Sequence, residues 1–203
     1  MSTKYDRKDH FYEKAKEEGY RSRAAYKLKE LQKKFNIIKR GSKILDLGSW
    51  PGGWTQVSAE LTGESGLVVS LDLKECDDFG LSNVKCVVGD ARDDEVLQRC
   101  FEAAGGKLDL LLSDMSPKLT GIREVDHAAS VGCAELARYV AQQALTVGGG
   151  LVIKVFKSNE TEIFVKETRP LFNTIKREEL DSTRKTSNEF YLVCLGFKGA
   201  QIQ

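Results

Sequence analysis

Five short apolar segments alternate with longer amphipathic ones along most of the chain. The apolar segments are almost continuously hydrophobic, as strands buried on both faces of a sheet should be. They are KILDLG (43–48), LVVSLDL (67–73), VKCVVGD (84–90), LDLLLSDM (108–115) and GLVIKVF (150–156). Between them apolar residues recur at helical spacing, at about 53–62, 93–104, 124–146 and 160–172. This order predicts an α/β fold with a parallel sheet wrapped by helices.

Two further candidate strands, NTIKREEL (173–180) and EFYLVCLGF (189–197), lie close together near the C-terminus. The eight residues between them cannot contain the helix that joins parallel strands, so the pair is predicted to form an antiparallel hairpin. Before the first strand, Ser22 is suited to cap a helix that runs to about Phe35. A length of 203 residues suits one domain. We therefore expect a single domain over 1–203, with a basic arm and helix at 1–43 and a Rossmann-like core at 44–203.

Charge is distributed unevenly, although the net charge is only +1. Residues 1–43 contain 14 Lys and Arg against six Asp and Glu, whereas the rest of the chain contains 17 against 24. Such asymmetry suggests one basic face that could meet phosphates. A solvated, salt-bridged helix explains the charges equally well, and the charges alone leave both interpretations open.

Several classes of protein are disfavoured by the composition. No segment approaches the roughly 20 apolar residues that span a bilayer, and residues 1–20 lack the apolar core of a signal peptide. We expect a cytoplasmic protein without membrane contact. The five cysteines are odd in number and form no C-x-x-C pair, so neither a zinc site nor a disulfide framework is expected. We predict no metal.

A glycine-rich loop, GSWPGGW (48–54), follows the first predicted strand. Glycines there let backbone approach a ligand at the carboxyl edge of the sheet. The loop is not G-x-G-x-x-G, so a ligand without a pyrophosphate suits it better. Asp72 and Asp90 end the next two strands, where they could accept hydrogen bonds from ribose hydroxyls and an adenine amino group. The fold also allows a nicotinamide-dependent oxidoreductase, which is the more distant alternative.

Two charged residues, Asp114 and Lys154, end strongly apolar segments and should lie at the same sheet edge as this loop. A lysine within VIKVF faces a large desolvation cost unless it is paired or neutral. A lysine that extends from the end of the sheet into water is the simpler interpretation. These residues alone do not decide between the two.

Five motifs, in order along essentially the whole chain, resemble the FtsJ/RrmJ family of ribose 2′-O-methyltransferases, most of all its bacterial 23S rRNA uridine enzymes. The motifs are SRAAYKLKEL (22–31), DLGSWPGGW (46–54), SDMSPKLTG (113–121), GGLVIKVF (149–156) and SNEFYLV (187–193). The resemblance implies a class I S-adenosylmethionine-dependent methyltransferase. Its fold is a mostly parallel seven-stranded sheet with a C-terminal antiparallel hairpin and helices on both faces.

The resemblance also assigns site residues. The family's catalytic tetrad falls on Lys27, Asp114, Lys154 and Glu189. Its cofactor contacts fall on Gly52, Trp54, Asp72, Asp90 and Asp114. Without the resemblance, Lys27 and Glu189 are two charges among many. Two features depart from the family pattern. Trp50 stands where the family usually has a small residue, and the segment DLKECDD (72–78) differs from the usual continuation after the second strand.

The implied activity is 2′-O-methylation of a ribose in RNA. A 2′-hydroxyl must lose its proton as it is methylated, and our hypothesis is that neutral Lys154 accepts that proton. If the nearby carboxylates keep the lysine charged, it instead orients the hydroxyl.

The expected partner is RNA, specifically 23S rRNA within the large ribosomal subunit, bound by a monomer. Phosphate contacts are expected from Arg7, Lys8, Arg21, Arg23, Lys33 and Lys34, together with Lys157, Arg184 and Lys185. A tRNA- or cap-directed methyltransferase would share every catalytic residue, but the compact length favours the rRNA enzyme. A catalytically inactive RNA-binding relative would be expected to lack members of the tetrad, and all four are present.

Overall fold

A computed structural model describes residues 10–184 and 187–199. Its helices are α1 His10–Glu17, α2 Ala25–Phe35, α3 Gly53–Thr62, α4 Asp94–Ala104, α5 Arg123–Ala144 and α6 Asn159–Thr168. Its strands are β1 Lys43–Leu47, β2 Leu67–Asp72, β3 Val84–Val88, β4 Leu108–Ser113, β5 Leu145–Phe156, β6 Phe172–Glu178 and β7 Glu189–Phe197. A short 3₁₀ turn, Arg169–Leu171, joins α6 to β6.

The seven strands form one sheet in the order β3-β2-β1-β4-β5-β7-β6. The first five are parallel to one another, and β7 runs antiparallel between β5 and β6. Because all five parallel strands point the same way, their carboxyl ends share one edge of the sheet. The predicted class I arrangement with its C-terminal hairpin is confirmed.

Helices cover both faces of the sheet, as predicted. Alternate residues of a strand point to opposite faces, so Ile44 packs with α2 and α3. Leu45 belongs to the hydrophobic cluster that α4, α5 and α6 cover on the other face. No helix within the described ranges is both long enough and apolar enough to cross a bilayer.

Three local predictions need correction, and one helix was not predicted. Helix α2 begins at Ala25, and Ala24 precedes it without a side-chain cap, so Ser22 is not its cap. Helix α1 was not anticipated, because its segment is mostly polar. Strand β3 is an edge strand with no fully buried residue, since β2 covers only one of its sides. Helix α6 ends at Thr168 rather than near residue 172, because Pro170 lacks the N–H that would continue it.

Candidate active site

Lys154 and Asp114 form a buried ion pair at the carboxyl edge of the parallel strands. Lys154 lies in β5, and Asp114 directly follows β4. The lysine Nζ donates to the Asp114 main-chain oxygen at 2.6 Å and lies 3.1 Å from Asp114 Oδ1. The Lys154 side chain is 8% exposed and that of Asp114 is 18% exposed. The lysine therefore does not extend into water, because the main-chain oxygen and the carboxylate of Asp114 both hold its Nζ at the sheet edge.

Lys27 and Glu189 form a second ion pair. Lys27 lies on α2 and Glu189 is the first residue of β7, so the pair joins segments that are 162 residues apart. Ser187 Oγ also donates to Glu189 Oε2 at 2.9 Å. The carboxylate therefore has a fixed orientation, although both side chains are only partly buried.

Tyr191 connects the two pairs, and the sequence analysis missed it. Its hydroxyl donates to Asp114 Oδ1 at 2.7 Å, and Lys27 Nζ lies 5.5 Å from the centre of its ring. The residue is fully buried and pairs directly with Lys154 across β5 and β7. Since strand residues two apart share a face, the position of Tyr191 relative to Glu189 was the available signal.

The charges of this cluster favour an ionised Asp114. Burial alone would raise the pKa of its carboxyl, but the charges of Lys154 and Lys27 and the hydrogen bond from Tyr191 hold it below its ordinary value. Burial and the negative charges of Asp114 and Glu189 raise the pKa of Tyr191 well above its usual range. Tyr191 is thus a neutral hydrogen-bond donor to a carboxylate.

A cavity of about 450 Å³ opens beside Asp114 at the same sheet edge. It is lined by residues that follow β1, β2, β3 and β4 and by α5, among them Gly48, Trp50, Asp72, Asp90, Asp114 and Leu136. The predicted positions Asp72, Asp90 and Asp114 therefore meet around one space.

Both acidic residues at the far side of this cavity already accept hydrogen bonds. Asp72 accepts from the backbone N–H of Trp50 and of Lys74, each at 2.9 Å. Asp90 accepts from the side chain of Arg92, and this contact lowers the pKa of the Asp90 carboxyl to about 2. Both aspartates are therefore held in place, and Asp90 is ionised at neutral pH. Trp50 is half exposed at the cavity wall, with Lys74 Nζ 4.2 Å from the centre of its ring.

Two predicted cofactor contacts, Gly52 and Trp54, do not line this cavity. The Trp54 ring is buried, and its Nε1 donates to the main-chain oxygen of Ala24 at 2.8 Å. Gly52 is buried at the start of α3 in the left-handed region, with φ +112°. Both residues support the conformation of the loop without lining the cavity, and their direct contact with a ligand stays a prediction.

Asp46 is a buried acid beneath the loop. It is 1% exposed, and Thr55 Oγ1 donates to its Oδ2 at 2.6 Å. Burial, with the charges of Asp114 and Asp72, raises the pKa of its carboxyl to about 7. The contact ties the end of β1 to the first turn of α3 and so fixes both ends of the glycine-rich loop.

A second cavity, of about 430 Å³, lies on the other side of the ion pairs. It is lined by Arg23, Ala24, Lys27, Ser116, Leu119, Arg184, Ser187 and Glu189. Ser116 also lines the first cavity, so the two spaces meet beside Asp114. Three cations face this second cavity against one carboxylate, which suits an anionic ligand.

The basic residues predicted to meet phosphate differ in what they already contact. Lys34 pairs with two carboxylates, Glu30 and Glu178, and Lys157 pairs with Glu179. Arg21 bonds to main-chain oxygens, and Arg23 donates to one at Ser182. Lys33 is exposed on α2. Arg7, Lys8 and Lys185 lie outside the described residues.

All five cysteines are free thiols. Among the described residues, no group of three or more His, Cys, Asp or Glu side chains is arranged to hold a metal ion.

Comparison with known proteins gives the family. A family model described as FtsJ-like methyltransferase matches residues 20–197. The ribosomal RNA large subunit methyltransferase E of Methanothermobacter thermautotrophicus is 42% identical over 96% of this chain and 92% of its own length. The protein of the same name from Acidithiobacillus ferrooxidans is 43% identical over 95% of this chain and 87% of its own.

Solved structures agree with this result. A ribosomal RNA methyltransferase from Plasmodium falciparum superposes with a TM-score of 0.78 at 29% identity, covering 89% of this chain and all of its own. Fibrillarin from Aeropyrum pernix, solved with natively bound S-adenosylmethionine, shares the fold with a TM-score of 0.57 at 15% identity, covering 84% of this chain and 76% of its own. The chain belongs to the FtsJ-like methyltransferase family.

Proposed function

We propose that the protein transfers a methyl group from S-adenosylmethionine to the 2′-hydroxyl of a ribose in RNA. The observation that carries the proposal is the position of the four charged residues between two cavities. Asp114 lines the first cavity, Lys27 and Glu189 line the second, and Lys154 is bonded to Asp114. A donor and an acceptor bound on either side would present their reacting atoms to the same cluster.

The first cavity suits S-adenosylmethionine. Asp72 and Asp90 retain lone pairs for the hydroxyls and amino group of an adenosine, while Ala91 and Leu136 supply apolar contact for a base. The acidic residues also favour a cationic ligand, and Asp114 is ionised beside it. When bound, the cofactor supplies an electrophilic methyl group on a positively charged sulfur.

Lys154 is proposed to accept the proton of the 2′-hydroxyl. Its two contacts with Asp114 fix the Nζ atom at the junction of the cavities. If the ion pair persists through methyl transfer, Lys154 acts as a cation that orients the hydroxyl. A rate that rises with pH over the mildly alkaline range favours proton acceptance, and a flat rate favours orientation.

The second cavity is proposed to receive the target nucleotide of ribosomal RNA. Arg23, Lys27 and Arg184 give it the positive charge that phosphates require. The relatives named as large-subunit rRNA methyltransferases support an RNA of the large ribosomal subunit as the substrate. A uridine of 23S rRNA, which the resemblance to the family implies, is the proposed target. The protein is proposed to act in the cytoplasm as a monomer.

The decisive experiment offers S-adenosylmethionine with a labelled methyl group to large ribosomal subunits, naked rRNA and tRNA in parallel. We expect label in the large-subunit RNA and none with Lys154→Ala. Alkaline hydrolysis locates the methyl group, since a 2′-O-methylated nucleotide leaves an uncleaved dinucleotide whereas a base-methylated one does not. Label on a base would contradict the proposal, and label in tRNA alone would contradict the substrate.

A further inference from the structure

Arg21, in the connection between α1 and α2, uses its guanidinium within the protein. Its Nη1 donates to the main-chain oxygen of Asp77 at 2.8 Å, and its Nη2 donates to that of Asp78 at 2.7 Å. Its Cζ lies 3.7 Å from the centre of the Phe79 ring. The planar fork and the stacking face of the arginine are thus both engaged by the segment that follows β2.

The Arg21–Phe79 stack lies against the glycine-rich loop. A Cβ added to Gly52 would come within 2.6 Å of Phe79 Cζ and 3.1 Å of Arg21 Cδ. The Arg21 backbone N–H also donates to Gln56 Oε1 on α3 at 2.8 Å. Arg21 therefore contacts the loop, the helix that follows the loop and the segment after β2.

These three segments frame the cavity that we assign to the cofactor. Trp50, two residues before Gly52, lines that cavity, and its N–H bonds to Asp72 at the end of β2. The segment 73–83 contains no helix or strand, so its position depends on side-chain contacts such as those of Arg21. Arg21 itself is not among the lining residues of the cavity.

We infer that Arg21 is a positioning residue for the cofactor site: it fastens the segment 77–79 over Gly52 and so holds the loop and Asp72 in the geometry that binds S-adenosylmethionine. The inference rests on the proposed function for the identity of that ligand. It differs from the expectation that Arg21 contacts phosphate, because both Nη atoms already donate to main-chain oxygens and the guanidinium stacks on the ring of Phe79. The N-terminal basic region thereby contributes to the cofactor site as well as to RNA binding.

The test is a calorimetric titration of the full-length protein with S-adenosylmethionine in the absence of RNA. Arg21→Ala should weaken binding about tenfold, because two hydrogen bonds from a charged donor and a cation–π contact are lost. Phe79→Leu, which leaves the hydrogen bonds in place, should weaken it about threefold. Arg169→Ala removes an exposed guanidinium from the 3₁₀ turn, away from the loop, and should leave the affinity unchanged.

Two further measurements separate positioning from other roles. The variant that combines Arg21→Ala and Phe79→Leu should weaken cofactor binding by less than the product of the two single effects, because both residues belong to one stack. Thermal unfolding of each variant shows whether it is folded at the titration temperature. Arg21→Ala with a lowered Tm and unchanged cofactor affinity would show a merely structural role and overturn the inference.

An unchanged cofactor affinity together with a shallower salt dependence of RNA binding, by about one unit of slope, would instead make Arg21 a phosphate contact. A wild-type protein that does not bind S-adenosylmethionine would overturn the proposed function itself, and this inference with it.

Discussion

The two cavities that meet at Asp114 are built in opposite ways. The first is lined mainly by residues at the ends of β1 to β4, which follow one another along the chain and share one edge of the sheet. The second joins Arg23 and Lys27, near the N-terminus, to Arg184 and Glu189, near the C-terminus. The first thus depends mainly on the shared direction of the parallel strands, whereas the second requires α2 and β7 to pack against each other.

The cavities also differ in charge, and this difference matches the proposed ligands. Three carboxylates, those of Asp72, Asp90 and Asp114, and one cation, Arg92, face the first cavity, and this negative balance suits a cationic sulfonium compound. Three basic side chains face the second, which suits a polyanion. A substitution in one cavity should therefore change one binding constant and leave the other unchanged, except at the junction.

The largest effect is expected at that junction, from Lys154→Ala. The turnover number should fall about 10²- to 10⁴-fold, as is typical for the loss of a general acid or base. Cofactor affinity should stay within about twofold of wild type, since Lys154 is not among the residues that line the first cavity. Methyl transfer is followed with labelled cofactor, and Lys166→Ala on the exposed side of α6 is the matched control. A variant that keeps most of its rate would exclude Lys154 from the chemistry.

Asp46→Asn tests how much the buried carboxyl of Asp46, beneath the cofactor loop, lowers the free energy of unfolding when it is ionised. Its pKa is raised to about 7 in the folded protein, so between about pH 4 and 7 the folded state holds a proton that the unfolded state releases. The free energy of unfolding of the wild type should therefore fall as pH rises through that range. The asparagine cannot ionise, so at pH 8 the variant should gain up to about 4 kcal/mol relative to the wild type.

Urea unfolding of both proteins at pH 4, 6 and 8 measures this difference. The asparagine oxygen can still accept the hydrogen bond from Thr55, so the comparison isolates the charge. Parallel stability profiles for the two proteins would show that Asp46 does not titrate in this range.

Asp90→Ala should affect the first cavity alone. Loss of a carboxylate acceptor should weaken S-adenosylmethionine binding about tenfold, because a hydrogen bond to a charged group contributes about 1.5–3 kcal/mol. The KM for RNA should not change. Calorimetry and steady-state kinetics measure the two constants, with Asp94→Ala in the first turn of α4 as the control. A raised KM for RNA would show that the two cavities do not bind independently.

Leu119→Ser should give the smallest effect, confined to the second cavity. Leu119 is 58% exposed at the cavity wall, on a loop that Asp126 fixes through the N–H and hydroxyl of Thr120. We expect it to contact the base of the target nucleotide, so its loss should raise the KM for RNA about threefold, with the turnover number unchanged. Val147→Ser, at another exposed apolar residue, is the control. An unchanged KM would remove Leu119 from the substrate surface.

Sequence reasoning recovered the sheet because apolar segments and their spacing depend on neighbouring residues. It located Asp72, Asp90 and Asp114 for the same reason, since each lies at or just after the end of a recognisable strand. The prediction that β3 is buried on both faces was wrong. The sequence VKCVV does not show whether one or two neighbouring strands pair with it. Sequence reasoning also missed Tyr191, whose apolar surroundings resemble those of any core residue.

The sequence by itself determined which segments form the strands, where the glycine-rich loop lies and which acidic residues stand at the strand ends, because these are set by local pattern. Only the tertiary structure decided that Lys27 pairs with Glu189, that Tyr191 joins the two ion pairs, and that the guanidinium of Arg21 bonds to the segment after β2. Long charged side chains find partners through packing between segments far apart in the chain. Their roles therefore depend on the folded molecule, and no spacing along the sequence encodes them.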